Sequence, residues 1–586
     1  MKKSLGVMVL SLFALTWGPS ASGSSVKKPN IVFVLLDDLD VSTSRPYYDK
    51  VLPFAMQLKK EGTDFENTFV TTPLCCPSRA AILSGKYGHN TNVLGNGGPK
   101  GGWEQFKDDE PFALPNLLKQ VGYRTVMIGK YLNGHGVKTV DGKPTIPQVP
   151  VGWTDGSILA SRNLKKYKGY NYYLMNFKEG QEPSLEWRGE DEKDYSTDVV
   201  KEKTIEFLND ARKDPNRPFF AYVNPTCPHF PLPPAKRHFA KADELWGYDT
   251  FPGNKPNMAK NLNRQDLDSY LADKPLFLRE TYEKRADLFH SGGKFLEWMG
   301  ARIPTDAPRR NIGAHQVDWH NRMGSLMACD EMIRDIVTTL KSNQQWDNTI
   351  FVFSSDNGYN LGAHGLNQKI SPYEEGIRVP LFISAGKNLA LPAGRTLPHW
   401  ILNIDLAPTL YEMAGEKAPT TMDGQSFAGL LKNPRAGETS VSDWRNKFLV
   451  EYWGPGLANG YLTEFHALHY RLMPAYLMDV PSFNAVRFLN KDGQSMLFSQ
   501  WERYPNKELA KRRMQKDRRL GQNRRERLAQ ELKAKDSELY NISEDPYQLR
   551  NLIVPELNLE RDRQLVRPMQ KELEDLMNCQ GESCRG

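Results

Sequence analysis

Cysteine is scarce in this chain, with six in 586 residues. That is too few for a disulfide scaffold to stand in for a hydrophobic core. No C-x-x-C pair with a histidine partner is present, so a structural zinc site has no ligand pattern. Cys579 and Cys584 lie close enough in sequence to staple the tail. Long apolar runs are equally rare. The single clear one, 5–17, follows Lys2 and Lys3 and precedes Ala21-Ser22-Gly23. This is the layout of a cleaved signal peptide over residues 1–23, and it is short for a bilayer span. No cysteine follows it closely to carry a lipid. The expectation is an exported protein, periplasmic or secreted and bacterial, without a stable membrane anchor. Internal repeats are absent, and 39% hydrophobic with 25% charged residues excludes a chain that is disordered throughout.

Charge of one sign is also in short supply, except in one place. The net charge is +7, yet residues 503–535 alone hold thirteen Lys and Arg against four acids. Without that segment the chain is near neutral. Two readings stand: a solvated helix, or a landing strip for an anionic polymer. Nucleic acid is a poor partner for an exported protein.

At this length one large domain plus a smaller one is expected. Residues 29–38 form a β-branched and aromatic run that ends in Asp37 and Asp38, and 349–358 repeats the design with Asp356 and Asn357. Runs of this kind read as strands buried on both faces with polar residues at their carboxyl ends. Shorter strands are expected at 124–128 and 218–223, and helices at Leu114–Gln120, 197–213 and 322–342. Strands alternating with helices imply an α/β fold with a large, mainly parallel sheet flanked by helices. In such folds ligands bind beyond the carboxyl ends of the strands. Residues 231–314 read as a surface insertion with some helix. A linker near 436–443 divides a catalytic domain, 24–440, from a smaller C-terminal α+β domain, 441–586. That domain would hold strands near 448–453 and 485–489 of a mixed sheet, the basic helical segment, and a closing helix near 561–577.

The oxygen-rich set Asp37, Asp38, Asp356 and Asn357 suits a hard divalent cation, calcium ahead of magnesium. Between these blocks stands Cys75-Cys76-Pro77-Ser78-Arg79-Ala80-Ala81-Ile82-Leu83-Ser84-Gly85-Lys86. Here the sequence resembles the sulfatase family of the alkaline-phosphatase-like superfamily, whose signature is C-x-P-S-R followed by a helix and a glycine. Further blocks fit in order: 122–132 with Lys130, Pro228-His229-Phe230-Pro231, and Asp356-Asn357-Gly358-Tyr359 with Lys369 after it. The resemblance covers most of 29–385 and continues more weakly to 538–546. Gly129-Lys130-Tyr131-Leu132-Asn133, with 149–153 and 170–172, is most similar to the N-acetylglucosamine-6-sulfatase and heparan endosulfatase branch. One departure is Leu132, where many arylsulfatases carry a histidine; Asn133 is the neighbour that could take over part of its role.

The resemblance implies that Cys75 is oxidised to formylglycine by a maturation enzyme, a covalent change invisible in the sequence. The hydrated aldehyde attacks the sulfur of a sulfated carbohydrate while coordinated to the cation, so Cys75 joins Asp37, Asp38, Asp356 and Asn357 in the metal set. Lys130 and Lys369 are implied on the sulfate and leaving-group side, Arg79 on the nucleophile's hydroxyl, and His229 is the first choice of general acid. Ser78 is expected to fix the turn, and His89 and His364 to be structural. Aryl sulfates are expected as additional substrates. The alternatives are a phosphomonoester or phosphodiester hydrolase on the same fold, and a sulfated-glycan-binding protein without turnover. Loops 90–110 and 231–315 would select the sugar.

Overall fold

The computed structural model describes residues 27–585, other than 43, 142, 161–168, 254, 259–263, 280–281, 283–289, 291, 439, 455–479, 503–534 and 554–559. The expected signal peptide therefore lies outside the described residues. So does the basic segment, except Lys535, which opens a strand. Among the described residues no helix is long and apolar enough to cross a membrane.

Among the described residues eleven strands form the main sheet. Its centre is parallel and runs Thr349–Ser355, Asn30–Leu36, Phe219–Asn224, Arg124–Gly129, Asp155–Ala160. Tyr172–Lys178 and Ser184–Arg188 extend one side antiparallel. On the other side Leu381–Ala385 and Thr63–Phe69 follow antiparallel, and Arg395–Leu402 closes the edge parallel to Thr63–Phe69. Every residue of Asn30–Leu36 and Thr349–Ser355 is buried. Alternate side chains serve opposite layers, as strand geometry requires. Val32, Val34, Phe351 and Phe353 pack with Met332, Ile336 and Leu340 of helix Ala314–Ser342 on one face. Ile31, Phe33, Ile350 and Val352 share the other face with Ala80, Ile82 and Leu83 of helix Cys75–Ser84. Helices on both faces of a mainly parallel sheet are the expected α/β architecture.

Several elements depart from the sequence expectations. Helix Ala314–Ser342 begins eight residues before 322, because its first turns bury Trp319, His320 and Asn321 rather than an apolar stripe. The insertion does carry the helix expected of it, as Phe239–Trp246, Arg264–Ala272 and Gly293–Met299. The second sheet is antiparallel throughout, not mixed: Lys447–Tyr452, Phe483–Leu489, Ser495–Glu502 and Lys535–Asn541 pair in sequence order. Helix Glu560–Met577 packs on this sheet, where Lys447 pairs with Glu572.

The second sheet is continuous with the core of the first. Phe69, Val70, Leu74 and Tyr87 share one apolar cluster with Phe448, Leu449, Phe483 and Trp501. The join is pinned by Arg445, whose guanidinium donates to both oxygens of buried Asp405 at 2.5 and 2.9 Å. Replacing Arg445 with Met strands a buried carboxylate, a change that costs about 3–5 kcal/mol. The low end is expected, because Asp405 keeps the backbone N–H groups of Leu402 and Gln425. Denaturant unfolding of Arg445→Met should show that loss, and a variant as stable as the parent would mean the two sheets are held together elsewhere.

Candidate active site

Register brings the two acidic blocks together. Leu36 lies opposite Ser355 in the parallel pair, so Asp37–Asp38 and Asp356–Asn357 leave the sheet side by side. The next strand pair repeats this: Gly129 lies opposite Asn224, and the Lys130 N–H donates to the Asn224 carbonyl at 2.8 Å. Gly129 has φ +101°, and a Cβ there would sit 2.0 Å from that carbonyl oxygen, so only glycine fits. Helix Cys75–Ser84 points its N-terminus at these strand ends, with Pro77 in its first turn, where a missing N–H is harmless.

The side chains form one buried, charge-balanced cluster. Lys369 Nζ donates to Asp38 Oδ1 at 2.6 Å and to Cys75 Sγ at 2.8 Å. Lys130 Nζ donates to Asp37 Oδ2 at 2.6 Å. Arg79 Nε donates to Asp356 Oδ2 at 2.7 Å, and its Nη1 to Asn224 Oδ1 and the Lys130 carbonyl. Cys75 Sγ lies 3.7 Å from Asp37 and 4.0 Å from Asp38. Half-buried His229 places Nε2 3.8 Å from Asp38 Oδ2. Burial opposes ionisation of Asp37, but Lys130, His229, Arg79 and Lys369 outweigh it and hold that carboxyl well below the usual range. Asp38 is lowered against the same penalty, chiefly by Lys369. Burial and then the Asp37 charge raise Asp356 to about 6, despite Arg79. Burial also lowers His229 to about 4, only partly offset by Asp37 and Asp38.

Asp37, Asp38, Cys75 and His229 offer ligand atoms all within 4.8 Å of one another, a group able to hold a metal ion. Asp356 and Asn357 border it: Asp356 Oδ1 accepts the Asp38 N–H, and Asn357 Nδ2 donates to Asp38 Oδ1. The other side-chain atom of Asn357, Oδ1, is buried without a hydrogen-bond partner. An orphan oxygen beside three carboxylates fits a hard cation. Asp37, Asp38, Cys75, Arg79, Lys130, His229, Asp356, Asn357 and Lys369 therefore lie together in one place.

The other two histidines singled out in the sequence, His89 and His364, are bonded within the protein. His89 bridges Glu451 and the Cys579 carbonyl. His364 meets Tyr270 and Asn257. Ser78 Oγ accepts from Asn403 Nδ2, which supplies the turn contact. Leu132 is in the core, and the Asn133 carbonyl accepts the Trp103 N–H. Cys579 pairs with Cys584 as a tail staple, and a second disulfide, Cys227–Cys329, had no signal in cysteine spacing. Asn224 was also missed, although a polar residue ending a buried strand is the signal that marked Asp37.

A buried cysteine ringed by carboxylates and fixed cations at the carboxyl ends of parallel strands defines an enzyme that handles an anionic ester. The chain belongs to the sulfatase family, whose model, described as Sulfatase, matches residues 29–416; it is a sulfuric ester hydrolase. An N-acetylglucosamine-6-sulfatase of Capra hircus is 30% identical over 458 residues, 75% of this chain and 69% of its own length. An N-acetylglucosamine-6-O-sulfatase of Bacteroides thetaiotaomicron is 28% identical over 536 residues, 86% of each chain. A protein solved in complex with its substrate D-glucosamine-2-N,6-O-disulfate has the same fold, with TM-score 0.60 and 23% identity over 94% of this chain and 97% of that one.

The unmodified thiol is a poor nucleophile here. Burial pushes Cys75 up to about 12, further than Lys130 and Lys369 can pull it back. A raised pKa keeps the thiol protonated at every pH below that value, and the thiolate is the reactive form. Unmodified folded protein should therefore resist alkylation of Cys75 by iodoacetamide at pH 8, while the denatured chain reacts. Rapid labelling of the folded form, followed by peptide mass spectrometry, would contradict this.

Proposed function

We propose that this sulfatase removes sulfate from a sulfated carbohydrate, with Cys75 matured to formylglycine and a divalent cation, calcium ahead of magnesium, held by Asp37, Asp38, Asp356, Asn357 and the matured residue. The observation that carries the reading is the contact chain Asp38–Lys369–Cys75, buried beside Asp37 and Lys130. The two N-acetylglucosamine-6-sulfatase relatives point to 6-O-sulfated N-acetylglucosamine as the first substrate to test. Export, with a signal peptide over 1–23 and a periplasmic or secreted destination, belongs to the same proposal. So do a maturation enzyme as partner and a division into 24–440 and 441–586.

The residues divide the work as follows. One hydroxyl of the hydrated aldehyde forms a bond to sulfur, and the bond from sulfur to the sugar oxygen breaks. Lys130 and Lys369, whose pKa values Asp37 and Asp38 raise against the burial penalty, remain cationic and offset charge on the sulfuryl oxygens. The negative charge of a bound sulfate ester opposes the burial that lowers His229 and favours the imidazolium, which passes its proton to the departing sugar oxygen. The second hydroxyl then loses its proton, the carbon–oxygen bond to sulfate breaks, the aldehyde reforms, and water rehydrates it. Arg79 holds Asp356 and the strand end at Asn224, fixing the platform on which this happens. A bound divalent cation supplies a lowered pKa for the nucleophile and neutralisation of sulfate charge.

The test is kinetic and compositional. Protein co-produced with a maturation enzyme should carry the aldehyde or its hydrate at Cys75, lose activity on chelation and regain it with calcium. Its kcat/KM should favour sulfate over matched phosphate esters. Intact thiol in fully active protein, recovery with zinc alone, or a preference for phosphate would each break the reading. Binding of sulfated sugar without turnover by fully modified protein would favour a glycan-binding role.

The acid assignment makes a separate prediction. His229→Ala should slow sugar sulfates at least about a hundredfold, the usual scale of a general acid, and aryl sulfates far less, because a phenolate hardly needs a proton. Equal losses on both substrates, measured as kcat, would move the proton to Lys130, Lys369 or Asn133.

A further inference from the structure

Asp38 is the one proposed cation ligand with a left-handed backbone, at φ 70°. Side chains seldom adopt that conformation unless the surroundings impose it. Both ends of the residue are held. Its N–H donates to Asp356 Oδ1 at 3.0 Å. Its carbonyl accepts from Arg322 Nη2 at 2.7 Å.

Arg322 stands in helix Ala314–Ser342, on the opposite layer from the helix that carries Cys75, and is 1% exposed. The same Nη2 donates to Asp40 Oδ1 at 3.0 Å, and Nη1 reaches the Pro228 carbonyl at 3.3 Å. The guanidinium lies 3.9 Å above the Tyr359 ring. Tyr359 is anchored in turn by its hydroxyl on Asp318 of the same helix. Seven residues on, two turns along the same helix face, Cys329 is bonded to Cys227, beside Pro228. One helix face thus grips the loop before His229 covalently, and the loop after Asp37 through a planar fork.

From this geometry we infer that Arg322 is the positioning residue of the cation site: its fork holds the Asp38 carbonyl and so keeps the Asp38 carboxylate turned toward Cys75. The inference rests on the cation reading above. Lysine cannot substitute, since a single ammonium lacks the rigid fork that spans Asp38, Asp40 and Pro228 together.

The test is calcium binding by calorimetry to the full, unmodified chain, which needs no turnover. The parent should bind calcium. Arg322→Lys should bind at least about tenfold more weakly at unchanged stoichiometry. The double variant Cys227→Ser/Cys329→Ser loosens the same helix–loop contact but leaves the Arg322–Asp38 bond, and should stay within about twofold of the parent. Folded Arg322→Lys with parental affinity overturns the inference. So does an equal loss in the disulfide-free variant, because general loosening would then explain both. If Arg322→Lys does not fold, Asp40→Ala removes one acceptor of the fork and should weaken calcium about threefold or more; parental affinity there also overturns it. A parent that binds no calcium removes the cation reading, and this inference with it.

Discussion

Asp37, Asp38 and Asp356 are buried side by side at the ends of two parallel strands, and such a group is stable only if cations neutralise it. Arg79, Lys130 and Lys369 supply those charges from three separate segments. Much of the architecture follows from this need. Register at Leu36–Ser355 gathers the acids, register at Gly129–Asn224 delivers Lys130, and the helix opening at Cys75 delivers Arg79 one turn later. The lysines bond the acids directly here; a divalent cation among the carboxylates would free them for the charge on a sulfate.

The same balance bears on the proposed maturation of Cys75. A helix N-terminus ordinarily activates a cysteine. In this cluster burial and the two neighbouring carboxylates work against the thiolate, and Cys75 ends up near 12. A hydrated aldehyde needs no thiolate, and it offers two hydroxyls where the thiol offers one sulfur.

What could be read in the sequence was whatever is written locally. The Cys75–Lys86 motif, the acid-ended strands and the Lys130 and Lys369 blocks are contiguous patterns, and they carried the fold class and the residues that meet in the candidate site. The antiparallel strands Tyr172–Lys178 and Ser184–Arg188 escaped because their faces mix polar and apolar residues without a clean period. The antiparallel order of the second sheet depends on pairing between distant segments. Arg322, Asn224 and the Cys227–Cys329 bond escaped for a related reason: their importance lies in contacts 102 to 284 residues apart in sequence. In the sequence Arg322 is one more arginine in an amphipathic helix.

Access to the site narrows the question of substrate. Asp37, Asp38, Cys75, Arg79 and Lys369 are almost wholly enclosed, while Lys130 and His229 keep part of their surface. On the proposed function, these are the two side chains of the cluster that an approaching sulfate ester would meet first. Residue 229 sits in the loop that leads directly into the 231–314 insertion, and Lys130 in the segment whose Asn133 carbonyl holds Trp103 of the 90–110 loop. These two residues are therefore each tied to one of the two loops expected to face the sugar, while the buried charge balance stands apart from both.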